Sequence, residues 1–177
     1  VGKICKNVKV KILSNTNKFC KIGKTGEILV KSKYLFEKYE NLKNKNFYFQ
    51  NYFKTGDLGY FDKKHNLYLK GRKKNMIKSK GISVFPEDIE KVISKYTKIR
   101  NFFVSGVFDK AINDEIITII TIKNNLKKEN EIIEICKKKL AMYQQPLGFF
   151  YLDKLETTNM GKIIKFKNLS KLNMSKI

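Results

Sequence analysis

From Gly71 onward the hydrophobic pattern of this sequence changes its period, and nothing else in it constrains the fold as tightly. Before that point the signals are those of strands. NVKVKIL, residues 7–13, alternates polar and apolar positions as a half-buried strand does, SNTNK turns the chain, and GEILVKS from Gly26 reads as a second strand. FYFQNYFKTGDLGYF then brings several aromatics, and KKHNLYLKGR reads as a hairpin whose return strand, Asn66 to Lys70, ends at Gly71. After Gly71 helical spacing appears. VFPEDIEKVISKY has Pro86 at a first helical position, Glu87 and Asp88 opposing the positive helix end, and Ile89, Val92, Ile93 and Tyr96 on one face. FFVSGV, residues 102–107, and EIITIITI, residues 115–122, are β-branched or aromatic runs of strand length. ENEIIEICKKKLAMY follows as a second helix, with Ile132, Ile133, Cys136 and Leu140 as its packing stripe, and GFFYLDKL as a final strand. The expectation is a strand-rich first part, like the edge of a β-barrel or a distorted sheet, followed by a small α+β domain in the order β-α-β-β-α-β.

The 177 residues, 42% hydrophobic, suffice for one ordinary domain or two small ones. No apolar run approaches the roughly 20 residues of a membrane-spanning helix, and no charged-then-apolar leader is present, so the cytoplasm is the expected compartment. The chain opens at Val1, without an initiator Met and in mid-pattern, which reads as a piece of a longer protein. Cys5, Cys20 and Cys136 are scattered and lack a CxxC or a nearby His, so neither a disulfide framework nor a metal site is expected. The net charge of +22 is almost all Lys, spread through the chain among abundant Asn and Ile, as a coding bias would spread it. No specific nucleic-acid partner is expected from it. A basic surface still suits polyphosphate ligands, and a non-catalytic basic binding module, recruited to nucleic acid or peripherally to an acidic membrane, stays open as a different class of function.

Within the strand-rich part, YFKTGDLGYF sets one carboxylate, Asp57, behind a Thr-Gly pair. Taken alone it reads as a turn, with Gly56 supplying a permissive backbone and Asp57 bonding its own main chain. His65, the single histidine, lies in a hairpin turn and reads as a solvated turn residue.

Three segments in order change the reading of Asp57: YFKTGDLGYF at 52–61, GRKKNMIKSKGISVFPEDIE at 71–90 and LETTNMGKIIK at 155–165. Together they resemble the motifs in the last third of the acyl-adenylate-forming enzymes, the AMP-binding superfamily of acyl-CoA synthetases, luciferases and peptide-synthetase adenylation domains. The opening VGKICKNVKVKIL and GKTGEILVKS resemble the stretch that leads to those motifs, so the likeness covers essentially the whole chain. The fold it implies is the strand-rich, β-barrel-like end of a large N-terminal domain over residues 1–70, a hinge at 71–75, and a small mobile α+β lid over 76–177.

The activity implied is that of an acid–thiol ligase: a carboxylate and ATP give acyl-AMP and pyrophosphate, and the acyl group passes to CoA, with Mg2+ carried on the phosphates. The KGISVFPEDIEKVI run resembles fatty or other carboxylic acid–CoA ligases more than amino-acid adenylation domains. A ligase for an acyl- or aminoacyl-carrier protein is the alternative, since both thiols arrive along a similar channel. By the resemblance, Asp57, with Thr55 beside it, holds the two ribose hydroxyls. Arg72 contacts the ribose and phosphate side, Lys74 is the hinge, and Lys78 nears the acyl-phosphate. Lys80 and Gly81 line the thiol channel, and Lys162 is the catalytic lysine of the adenylation step. The partners are the N-terminal domain of the same protein, which supplies the phosphate loop and acyl pocket, and the small-molecule acid, ATP and CoA; the isolated piece is expected to be inactive. Two positions depart from the pattern. Glu156 stands where the family's L-P-x-T-x-x-G-K motif has proline, which is expected to loosen the loop of Lys162, and Asn75 stands where Asp or Glu is usual.

Overall fold

The computed structural model describes residues 2–35 and 47–174, and the chain divides into two units, Val1–Lys74 and Asn75–Ile177. Val1, with which the resembling stretch opens, lies outside the described residues.

The first unit is one antiparallel sheet of β1 (Lys9–Leu13), β2 (Gly26–Lys31), β3 (Tyr48–Phe49), β4 (Tyr52–Phe61) and β5 (Leu67–Arg72). β4 is its spine. One edge of β4 pairs with β2, while the other takes β3 at Tyr52 and Phe53 and β5 from Asp57 to Phe61. The alternation in the first strand sets Ile12 opposite Ile28, and Leu13, Leu29 and Tyr52 form the buried centre with Phe49 packed against them. The β4–β5 hairpin closes on Asp62, whose Oδ1 accepts the N–H groups of Lys64 and Asn66 while His65 takes the left-handed conformation at φ 58°. The Asn66 side-chain amide, which donates to Asp62 Oδ2 at 3.0 Å, and then these backbone hydrogen bonds hold the Asp62 carboxyl below its ordinary range. The return strand continues through Gly71 to Arg72 instead of ending at Gly71, because Gly71 is buried and paired with Leu58.

The second unit begins with a two-stranded hairpin, β6 (Ile77–Ser79) and β7 (Ile82–Val84), and continues through α1 (Pro86–Tyr96), β8 (Phe102–Asp109), β9 (Asp114–Ile122), α2 (Glu129–Lys139), β10 (Gly148–Leu152) and α3 (Lys165–Met174). β8 and β9 are antiparallel neighbours, and α2 is the crossover that brings β10 parallel to β9. Ile89 and Ile93 of α1 and Ile132 and Cys136 of α2 pack with Val104, Ile117 and Ile119 in one core. Phe103 and Ile120, which alternate with those residues along the strands, pack with Leu155, Ile163, Leu169 and Leu172 in a second.

The expected β-α-β-β-α-β order is present, with four differences. Its first strand lies in the separate β6–β7 hairpin and not in the three-stranded sheet. Tyr96, expected on the packed face of α1, is exposed, with the Lys95 and Lys139 ammonium groups over its ring. α2 ends at Lys139 because Leu140 turns extended, and α3 follows the expected last strand. Among the described residues no helix is long and apolar enough to cross a membrane.

Candidate functional site

Thr55, Gly56 and Asp57 lie in a strand, not in a turn, and the strand is broken at them. Glu27 pairs with Leu58 and Leu29 with Lys54, so the three residues of β4 face only Ile28 of β2. Such a bulge re-aims the side chains it carries, and Gly56, at φ 73°, supplies the left-handed backbone it needs. The Thr55 hydroxyl donates to the Ile28 carbonyl at 2.8 Å and accepts the Asp57 N–H at 3.0 Å, tying both sides of the bulge. Arg72, opposite Asp57 on β5, donates through Nη1 to the Thr55 carbonyl at 2.9 Å and lies 2.9 Å from Asp57 Oδ1. Thr55, Asp57 and Arg72 are thus one constellation, held by the backbone bonds of three strands.

Gly56, Arg72, Lys73 and Lys74 line an open recess of ≈ 380 Å³. Lys73 reaches Glu27 Oε2 at 2.8 Å, and Glu27 is buried, which fixes the chain just after β5. Sequence reasoning missed Glu27, although its place in the GEILVKS strand, next to the Ile28 that faces the bulge, is a usable signal. The recess has a cationic rim beside an acceptor-only carboxylate, a combination that fits a ligand with hydroxyl donors at one end and phosphate at the other. Among the described residues no group of three or more His, Cys, Asp or Glu side chains gathers as a metal site.

In the second unit, Lys78, Lys80 and Gly81 share the β6–β7 hairpin. Lys80 and Gly81 form its two-residue turn at φ 50° and 75°, the paired positive values that a tight hairpin requires. Two carboxylates from the start of β9 hold this hairpin by its backbone: Glu115 Oε2 accepts the Lys78 N–H at 2.9 Å and Asp114 Oδ2 the Lys80 N–H at 2.6 Å. Neither acid had a local signal in the sequence, since each lies more than thirty residues from the group it holds.

Lys162 lies on a different turn of the same unit. Thr158 N–H donates to the Lys162 carbonyl at 2.8 Å, Gly161 N–H to the Thr158 carbonyl at 2.8 Å, and Lys162 N–H to the Thr158 hydroxyl at 3.2 Å. Gly161, at φ 78°, makes the turn, and the Lys162 side chain is exposed. The Glu156 N–H, which a proline would lack, donates to Asn168 Oδ1 at 2.8 Å. Lys165 reaches Glu90 Oε1 at 2.7 Å and so ties the start of α3 to α1. Away from these groups, burial pushes the Cys136 thiol up to about 11, and burial together with its hydrogen bond to Glu129 raises the Tyr151 phenol.

No protein-family model matches the chain. It is 31% identical over 150 residues to the 2-succinylbenzoate–CoA ligase of Bacillus licheniformis, covering 84% of this chain and 31% of that one. It is 32% identical over 142 residues to a long-chain-fatty-acid–CoA ligase of Mycobacterium tuberculosis, covering 79% of this chain and 28% of that one. The structure matches that of o-succinylbenzoate coenzyme A synthetase from Bacillus subtilis, in complex with ATP and magnesium ion, with a TM-score of 0.80 and 27% identity over 95% of this chain and 35% of that one. The chain spans about a third of the length of the curated relatives it matches.

Proposed function

This chain belongs to the acyl-adenylate-forming superfamily, and we propose that it is the C-terminal part of an ATP-dependent acid–CoA ligase. The observation that carries the reading is the Thr55–Asp57–Arg72 constellation on the β4 bulge beside a recess with a cationic rim.

In this reading the nucleotide ribose gives its two hydroxyl protons to the Asp57 carboxylate, which has only acceptors to offer. Arg72, already oriented by the Thr55 carbonyl, turns its remaining donors to the ribose and phosphate side. Magnesium travels with the triphosphate, held through the phosphate oxygens. The substrate carboxylate attacks the α-phosphorus, the bond to pyrophosphate breaks, and the Lys162 ammonium stabilises the charge shared by the attacking and phosphate oxygens. CoA then attacks the acyl carbonyl through its thiol sulfur and AMP leaves, with the Lys80–Gly81 turn lining the approach of the thiol. Lys74 is the hinge on which the second unit changes position between the two steps. CoA is favoured over a carrier protein as the acceptor because the relatives are CoA ligases. A fatty acid is the proposed substrate on the KGISVFPEDIEKVI likeness, although relatives of similar identity take acids as different as 2-succinylbenzoate.

The test is ATP–pyrophosphate exchange by the parent protein with palmitate, 2-succinylbenzoate, indoleacetate and oxalate, for wild type and Lys162→Ala. Exchange with one of these acids that collapses in the variant is the expected result. Absence of exchange with every acid, together with binding that falls steeply with salt and ignores ATP, returns the chain to a basic binding module.

A further inference from the structure

We infer that Asn168 is the positioning residue for Lys162: its buried side chain clamps the neck of the loop that carries the lysine, at the position where the resembling motif has a proline. The inference rests on the role proposed above for Lys162.

The chain leaves its last strand, runs out from Glu156 and returns at Ile164, where the Ile164 N–H donates to the Glu156 carbonyl at 2.9 Å. Beyond that neck the loop is held by the Thr157–Ile163 bridge and the Thr158 bonds to Lys162. The loop around Lys162 is exposed, and bonds open to water are worth little each. Asn168, one helical turn beyond Ile164 in α3, is different: it is 0% exposed. Its Oδ1 accepts the Glu156 N–H at 2.8 Å, and its Nδ2 donates to the Glu156 carbonyl at 3.0 Å and to the Ile164 carbonyl at 2.9 Å. One side-chain amide thus engages both backbone groups of the residue entering the loop and the carbonyl of the residue leaving it, as a neighbouring strand would. Asparagine is a weak helix former, and in a buried helical position it needs such partners.

Positions 156 and 168 are therefore chemically coupled. A proline at 156 has no N–H for Asn168 Oδ1, and a leucine at 168 leaves the Glu156 N–H without its acceptor. Removing both partners together leaves no such orphan, and leucine has nearly the shape of asparagine. Proline would also stiffen the neck through its fixed φ. Glu156 does not loosen the loop, because Asn168 does by hydrogen bonding what the ring would do by geometry. The reacting oxygens must meet the ammonium within about an ångström, so the neck that aims Lys162 controls the adenylation step and leaves the thiol step alone.

The experiment compares the parent protein as wild type, Asn168→Leu, Glu156→Pro, the double variant and Lys162→Ala. Exchange is measured with whichever of the four acids is active, thioester formation from supplied acyl-adenylate, and hydrogen exchange of the amides of residues 157–164. Asn168→Leu should lower the turnover of exchange roughly tenfold or more with KM for ATP within about twofold, the effect of one part-buried donor left without an acceptor and felt only in the transition state. Thioester formation should be unchanged and the loop amides should exchange faster. Glu156→Pro should behave alike, and the double variant should recover to within about threefold of wild type, far above the product of the single effects. Wild-type turnover and protection in Asn168→Leu, or a double variant no better than that product, would overturn the clamp. Where Asn168→Leu fails to fold, the double variant decides by its own turnover and protection. Should Lys162→Ala keep full exchange, or wild type show none, the role of Lys162 is what fails. The amide protection of the four remaining forms then judges the clamp by itself: coupled loss and recovery supports it, and unaltered protection ends it.

Discussion

Replacing Asp57 by Asn separates a structural role from a binding role, because the structure assigns them different sizes. The Arg72–Asp57 pair is close, at 2.9 Å, but the two side chains are 51% and 31% exposed, respectively. An ion pair so open to water contributes about 0.2–1 kcal/mol. Asn keeps an oxygen for the guanidinium, and Arg72 keeps the Thr55 carbonyl, so the variant should lose less than about 1 kcal/mol of stability, about 2–4 °C in Tm. Binding should suffer more. A carboxylate that accepts both ribose hydroxyls makes charge-assisted hydrogen bonds of about 1.5–3 kcal/mol, and Asn offers a donor where one of its oxygens was. The expected result is AMP binding weakened roughly 10- to 150-fold in calorimetric titration of the parent protein, with a near-wild-type melting curve. A 2′,3′-dideoxy analogue of AMP supplies the second arm. Wild type should bind it more weakly than AMP by a similar factor, and Asp57→Asn should scarcely distinguish the two, since the group that reads the hydroxyls is gone. Unchanged AMP affinity in Asp57→Asn refutes the reasoning, and so does an equal preference for AMP over the analogue in both proteins.

Ile93, fully buried in α1, should cost about 2–5 kcal/mol when cut to Ala, read as a lower denaturant midpoint for the second unit. Gly59→Ala should destabilise the first unit, because its Cβ would lie 2.4 Å from the Tyr68 carbonyl oxygen and 2.8 Å from Ile28 Cδ1; a wild-type melting temperature would contradict this. Gly81→Ala has open space for its Cβ but sits at φ 75°, so it should cost only the left-handed penalty of about 1–2 kcal/mol and slow thioester formation while sparing pyrophosphate exchange. Cys136 should resist alkylation in the folded chain while exposed Cys5 reacts. Its thiol ionises at 9.0 when unfolded and about 11 when folded, so its contribution to stability is intact below pH 9.0 and lost as pH rises through 11. Cys136→Ser should flatten that part of the alkaline decline in denaturation midpoint.

The elements with a strict period were legible in the sequence: α1 opens at Pro86, and the β8 and β9 runs fall where their β-branched residues are. The turn at Lys80–Gly81 was legible for its glycine. What was not legible depends on a partner distant in sequence. YFKTGDLGYF reads as a turn locally and becomes a bulged strand only because β2 and β5 bind its two edges. α3 is a lysine-rich segment with a weak apolar stripe, and Leu169 and Leu172 gain their meaning from Phe103 and Ile120, some fifty to seventy residues earlier. The tethers Glu27, Asp114, Glu115 and Asn168 are ordinary polar residues until the fold sets a backbone amide or an ammonium against them.

The same tethers argue for where the proposed hinge turns. Gly71 is the permissive residue of GRKK, yet it is buried in β5 and paired with Leu58, so rotation there would break the sheet that holds Asp57. Lys73 is bound through its side chain to buried Glu27 within the first unit, at 2.8 Å. Asn75 donates to Glu87 Oε1 within the second unit, at 3.3 Å. Lys74 lies between, and among the described residues its side chain enters no hydrogen bond or ion pair. A change of backbone angle at Lys74 therefore leaves both anchors intact, whereas the same change one residue earlier or later strains one of them. Asn75 meets that need without a charge: it is the hydrogen-bond donor for Glu87, a function that Asp or Glu at this position would lose when ionised.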